Sequence, residues 1–215
     1  MYKYINMSIT DYLKNNGTNI NHIKQLLKQG ADIHERNING NTALYLAFST
    51  GHIEIVKLLL ENGANIHEKN INVNMFFNSY FLEACCKGYI EIVKLLLENG
   101  ANIHEKTHRQ NTGFILACSA RHIEIVKLLL DNGANIEDKN TEDGNTGFVE
   151  ACCKGHIEIV KLLLDNGANI NHINDFNETG LYSARKNQHI KIVKLLLKNG
   201  ANINHINYFN GANNN

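Results

Sequence analysis

The chain has 215 residues, and its 21 Lys and Arg balance its 21 Asp and Glu, so no global field favours nucleic acid or an anionic membrane. No apolar run approaches the ~18 residues that cross a bilayer, and the opening MYKYINMSITDYL lacks the continuous apolar core of a secretion signal. Five cysteines, an odd number, fit a reducing cytoplasm better than a disulfide framework.

The first predicted element is a short helix over Ser8–Asn15, ended by Asn16-Gly17, and its partner covers Asn19–Gln29. The partner carries Asn21, His22 and Gln25 where later copies of the same segment carry Glu, Ile and Leu. Extra polarity on this pair suits an end repeat, one of whose faces meets water.

Gly51–His67, GHIEIVKLLLENGANIH, predicts a helix over His52–Asn62. Glu54, Lys57 and Glu61, three and four residues apart, form one narrow polar stripe, with Glu54 and Lys57 in weak attraction. Ile53, Ile55, Val56, Leu58, Leu59 and Leu60 cover most of the remaining circumference. A helix this apolar is buried on several sides and needs neighbours before and after it. Asn62-Gly63 stops it, glycine taking the left-handed conformation beyond the helix end.

Ile53–Lys69 returns letter for letter as Ile90–Lys106, with variants at Arg121–Ile136, Gly155–His172 and Gln188–His205 and a weaker copy at Thr18–His34. Gly30, Gly63, Gly100, Gly133, Gly167 and Gly200 fall 33, 37, 33, 34 and 33 residues apart. A fixed period in this range marks stacked repeats. The chain therefore reads as one domain, 1–215: a capping repeat 1–36, repeats 37–69, 70–106, 107–139, 140–173 and 174–206, and an incomplete unit 207–215.

Ahead of the long helices stand GNTALYLA (Gly40–Ala47), QNTGFILA (Gln110–Ala117), GNTGFVEA (Gly144–Ala151) and NETGLYSA (Asn177–Ala184). Over about residues 10–210 these segments and the Gly-Ala helix ends resemble the ankyrin repeat, T-P-L-H-x-A followed by L-L-x-x-G-A. Thr42, Thr112, Thr146 and Thr179 match the threonine that caps the first helix, and Leu44, Phe114, Phe148 and Leu181 match the leucine. The proline is replaced by Ala43, Tyr80, Gly113, Gly147 or Gly180, and the histidine by Tyr45, Leu82, Ile115, Val149 or Tyr182. Glycine is a poor helix former, so these helices are expected to start less firmly. The resemblance implies an all-α fold: an ankyrin-repeat solenoid of stacked helix-turn-helix units with projecting hairpin loops.

Repeat 70–106 is longer by about four residues between Ile66 and Ser79, where KNINVNMFFNSYF holds Met75, Phe76, Phe77, Tyr80 and Phe81. In the last repeat Arg185 takes the place of Phe48, Cys85, Cys118 and Cys152. Its second helix, His189–Asn199, keeps the internal apolar pattern, so Ile192 and Leu196 are expected to lie unprotected and this end to open first.

Chemistry is sparse. Cys85-Cys86 and Cys152-Cys153 lack the two-to-four-residue spacing of zinc sites, and in the family register Cys85, Cys118 and Cys152 take a small buried slot. His52, His122, His156 and His189 form one column, and His34, His67, His104, His172 and His205 another. Stacked repeats lie about 8–10 Å apart, too far for two imidazoles of one column to share a metal, so these are read as repeat-encoded hydrogen bonding. No nucleophile–base constellation, phosphate loop or H-E-x-x-H stands out, so neither catalytic residue nor cofactor is assigned.

The resemblance implies a partner protein lying across the hairpin tips and the inner face of the first helices. By register the tips are Ile38, Asn39 and Asn41; Met75, Phe76 and Asn78; His108, Arg109 and Asn111; Glu142, Asp143 and Asn145; Asp175, Phe176 and Glu178; Tyr208 and Phe209. Ser49, Thr50, Cys86, Lys87, Ser119, Ala120, Cys153, Lys154, Lys186 and Asn187 flank them. Aromatics, Arg109 and the acidic patch Glu142-Asp143 to Asp175 suit an interface. Ordinary solvated loops, with Phe76 and Phe176 tucked against their own helices, are the other reading.

The expected function is a non-catalytic, monomeric module in the cytoplasm that binds another protein, without affinity for nucleic acid or membrane. The alternative is a structural or fragmentary repeat protein that self-associates through its incompletely capped C-terminal repeat. An adaptor for degradation machinery would want an appended recruiting domain. The Asn-, Ile- and Lys-rich, Pro-free composition is also similar to that of ankyrin-repeat proteins of large AT-rich DNA viruses, which implies a host protein as the partner.

Overall fold

A threonine or serine hydroxyl opens each capped first helix, and the computed structural model, which describes residues 7–68 and 79–204, shows how. Thr42, Thr112, Thr146 and Thr179 each accept the backbone N–H three residues on, at 3.2–3.4 Å. They open α3 (Ala43–Ser49), α7 (Gly113–Ser119), α9 (Gly147–Lys154) and α11 (Gly180–Lys186). Ser8 does the same for α1 (Ile9–Lys14), and α5 (Tyr80–Lys87) occupies the corresponding place in its repeat. The second helices are α2 (Ile20–Lys28), α4 (Ile53–Glu61), α6 (Ile90–Glu98), α8 (Ile123–Asp131), α10 (Ile157–Asp165) and α12 (Ile190–Lys198). No strand occurs among the described residues; isolated bridges such as Lys139 with Thr146 close the hairpin loops.

Helix ends follow one local rule. Asn62, Asn99, Asn132, Asn166 and Asn199 each turn the side-chain N–H back to the carbonyl four residues earlier, at 2.8 Å, before a left-handed glycine. After α1 the same rule holds with Asn15, whose side-chain N–H reaches the Asp11 carbonyl at 2.9 Å, but the residue that follows is not a glycine. Asn16 itself takes the left-handed conformation, whereas a Cβ on Gly17 would lie 2.6 Å from the Tyr12 ring.

The chain divides into two compact units, Met1–Ala84 with Tyr89–Asn102, and Cys85–Gly88 with Ile103–Asn215. In the first, α1 packs on α3, α3 on α4 and α4 on α6. Ile9, Ile23, Leu44, Phe48, Leu59 and Ile92 are buried there. Phe48 meets the Tyr80 and Tyr89 rings edge-on at 5.4 and 5.9 Å, and the Tyr80 hydroxyl reaches Thr42 Oγ1 at 3.2 Å.

In the second unit α7, α9 and α11 lie side by side, and each pairs with its own second helix, α8, α10 or α12. Phe114, Phe148, Cys118 and Cys152 are buried between first helices, as the register of the cysteines anticipated. The glycines at the helix starts have a packing reason rather than only a propensity cost. A Cβ on Gly147 would lie 2.9 Å from Cys118 Sγ and 3.0 Å from the Phe114 ring, and one on Gly180 would meet Phe148 and Cys152 as closely. A bulky Phe in one repeat is thus matched by a missing side chain in the next.

The expectation for the end helix is corrected. Ile192 and Leu196 are buried to 1% and 0% exposure, because α12 turns that face to α10 and α11. The apolar side chains left outside are Ile190, 59% exposed, and Leu197, 41%.

Candidate functional site

In the second unit each described hairpin tip is held by one side-chain oxygen bonded to backbone N–H groups ahead of it. Thr107 Oγ1 accepts from Asn111, Asn140 Oδ1 from Asp143 and Asn145, and Asn174 Oδ1 from Phe176 and Glu178. This local turn chemistry leaves Phe176 60% exposed, not tucked against its helix.

Consecutive tips are then joined to one another. The Thr141 N–H donates to the Arg109 carbonyl at 3.0 Å, and the Asp175 N–H to the Asp143 carbonyl at 2.8 Å. Arg109 pairs with Glu142 at 2.7 Å, and Lys139 lies 3.9 Å from Asp175. His172 donates Nε2–H to the Gly144 carbonyl at 2.9 Å. Gly144 has a positive φ of 71°, and a Cβ there would sit 2.5 Å from Asp175 Oδ1, so only glycine admits the next tip.

Beneath the tips runs a polar chain, buried at Asn145 and Asn174 and half-buried at its other members. Asn174 donates to Asn145 Oδ1 at 2.9 Å, and Asn145 uses its two amide protons on Asp143 Oδ2 (2.8 Å) and Glu150 Oε1 (2.9 Å). The Ser119 hydroxyl completes the chain on Glu150 Oε2 at 3.2 Å. Every member has a partner, as burial requires.

Above this chain lies an open groove of about 590 Å³. Asp143, Asp175 and Phe176 wall it on the tip side, and Cys153, Ser183 and Lys186 on the helix side. Lys186 Nζ donates to Glu178 Oε1 at 3.1 Å and stands 5.9 Å from the Tyr182 ring centre. Burial pushes the Cys153 thiol above its ordinary value and Glu150 adds to this, so it is protonated and a poor nucleophile at neutral pH. Burial drives Cys85, Cys118 and Cys152 much further up.

Of the residues expected at an interface, Asp143, Asp175 and Phe176 converge on this groove. Arg109 and Glu142 pair with each other, while His108 is exposed and Asn111 half-buried on the preceding tip. Met75, Phe76, Asn78, Tyr208 and Phe209 lie outside the described residues. Glu150, Asn174 and Ser183 were not singled out beforehand. A signal existed for Glu150: it stands where α3 and α7 carry Leu46 and Leu116.

Three of the four members of the first histidine column make the hydrogen bonds its repetition suggested. His122, His156 and His189 donate Nε2–H to the carbonyls of Cys86, Ser119 and Cys153 at 2.9–3.0 Å. Among the described residues no group of three His, Cys, Asp or Glu side chains could hold a metal, and no helix is long and apolar enough to cross a membrane.

A family model described as ankyrin repeats in three copies matches residues 12–107, 81–174 and 114–207. No curated protein matches the chain.

Proposed function

The chain belongs to the ankyrin-repeat family, and from that premise we propose that it is a non-catalytic module holding another protein across the hairpin tips of its second unit. Repeats of this family are generally protein–protein interaction modules. The observation that carries the assignment to these tips is the convergence of Asp143, Asp175 and Phe176 on one groove. An exposed aromatic beside charged groups is the usual anchor of an interface. Backbone bonds between tips order the surface before a partner arrives, which lowers the entropy lost on binding.

The chemistry of the groove supports binding rather than catalysis or nucleic-acid recognition. Its thiol is protonated, and its carboxylates repel phosphate. A cytoplasmic setting with a host protein as partner draws its support from cysteine usage and composition alone.

Selection of peptides from a random displayed library against the immobilised full chain tests the reading. Winners should lose about tenfold or more in affinity on Phe176→Ser while the melting curve stays in place. Winners indifferent to Phe176→Ser, Asp175→Asn and Arg109→Ala together would remove the tips as the binding surface.

A second reading is favoured by Ile190 and Leu197, exposed on α12: two copies associate through this end. Sedimentation of wild type against Ile190→Ser/Leu197→Ser separates it, since a monomer at all concentrations excludes it.

A further inference from the structure

We propose that the groove takes an extended basic segment of the partner, one Arg or Lys entering with its stem against Phe176 and its cationic head beside Asp143 and Asp175. The proposal rests on the protein-binding reading and adds the chemistry of the occupant.

Charge complementarity comes first. Three carboxylates, Asp143, Asp175 and Glu178, line the groove against one ammonium, Lys186, which is engaged by Glu178 at 3.1 Å. Lys139 approaches Asp175 only to 3.9 Å with both side chains 59% exposed, a loose pair that an incoming cation displaces at little cost. Asp143 is half-buried and oriented by the Asn145 backbone and side-chain N–H groups at 3.2 and 2.8 Å. A carboxylate has about four acceptor sites, so two remain for a guanidinium or ammonium.

A precedent stands at the edge of the groove. Lys186 sits on a carboxylate, Glu178, and beside an aromatic ring, Tyr182. Asp175 and Phe176 repeat that carboxylate–aromatic pair on the neighbouring wall, with the ring 60% exposed. A long basic side chain satisfies both halves at once, its methylenes covering the ring and its charge meeting the acid.

Two fluorescein-labelled probes test the idea on the full chain: acetyl-Gly-Ser-Leu-Arg-Leu-Arg-Gly-Ser-amide and its counterpart with Glu for both Arg. The Arg probe should bind saturably, weaken as salt rises, and shift the amide resonances of Asp143, Asp175 and Phe176. The Glu probe should not. Asp175→Asn should weaken the Arg probe about fivefold or more, and Lys186→Gln should strengthen it about threefold, a gain that misfolding cannot mimic. Equal binding of both probes, or a Lys186→Gln variant that binds the Arg probe no better, overturns the proposal. If library-selected peptides occupy the groove without a basic residue, the basic segment is wrong and the protein-binding reading stands. If neither probe nor any selected peptide touches these tips, both fall.

Discussion

The imidazole of His189 lies against Gly155 and donates its Nε2 proton to the Cys153 carbonyl, 2.9 Å away. The bond joins residues 36 apart, one repeat to the next, and satisfies a carbonyl in the last turn of α9. Gly155 makes the approach possible, because its φ is 80° and a Cβ there would stand 2.6 Å from His189 Cε1. His122 lies on Gly88 in the same way.

Gly155→Ala should therefore destabilise the protein by about 1–3 kcal/mol, through a left-handed Ala and the clash together. His189→Ala should cost about 1–2 kcal/mol by orphaning the carbonyl. The double variant should lose less than the sum, since removing the ring removes the clash. Urea unfolding of the four proteins measures the cycle.

Gly147→Ala separates propensity from packing. Helix propensity alone favours Ala by about 1 kcal/mol. The contacts to Cys118 and Phe114 predict the opposite sign, a loss of about 1–3 kcal/mol from overpacking. Phe114→Leu made together with Gly147→Ala should recover part of it. A stabilised single variant would show that α7 and α9 can part without loss.

Thiol titration follows from burial. Cys85, Cys118 and Cys152 are at 0% exposure, so a thiol reagent at pH 8 should label no more than Cys86 and Cys153 in the native protein, and all five after denaturation. The three buried thiols are raised in the folded state, so they leave stability untouched below the unfolded thiol range. Above about pH 8.5 the unfolded chain releases protons that the folded one keeps, and stability should fall by up to about 1.4 kcal/mol per pH unit per thiol. Cys118→Ala should make that slope shallower.

The end helix is tested by two kinds of substitution. Ile192→Ala should cost about 2–5 kcal/mol, as for any buried residue of this size. Ile190→Ser should stay within about 0.5 kcal/mol, because its side chain already faces water. Amide exchange should run faster in α11 and α12 than in α7–α10, as among the described helices they pack only on each other, α9 and α10, where an internal repeat gains from a neighbour on either side. Protection in α12 equal to that in α8, in a monomer, would overturn this.

Whatever acts within a few residues was legible in the chain. The threonine caps, the Asn-Gly helix ends and the polar stripe Glu54, Lys57, Glu61 depend on neighbours within about five positions, and their return every 33 to 37 residues is visible in the sequence, so the all-α repeat fold followed from them. The tip residues Asp143, Asp175 and Phe176 were legible as positions that vary from repeat to repeat. Their convergence was not. The groove is made by bonds between repeats, Asn174 to Asn145 across 29 residues and the Asp175 N–H to the Asp143 carbonyl. Ile192 and Leu196 were misjudged for a related reason, since a helix pattern says that a face is apolar but not which neighbour covers it. Periodicity thus determined the architecture, because helix formation and termination are local. Only the packing of one repeat on the next decided which polar groups share a groove, why Gly147 and Gly155 must lack a side chain, and which apolar residues of α12 meet water.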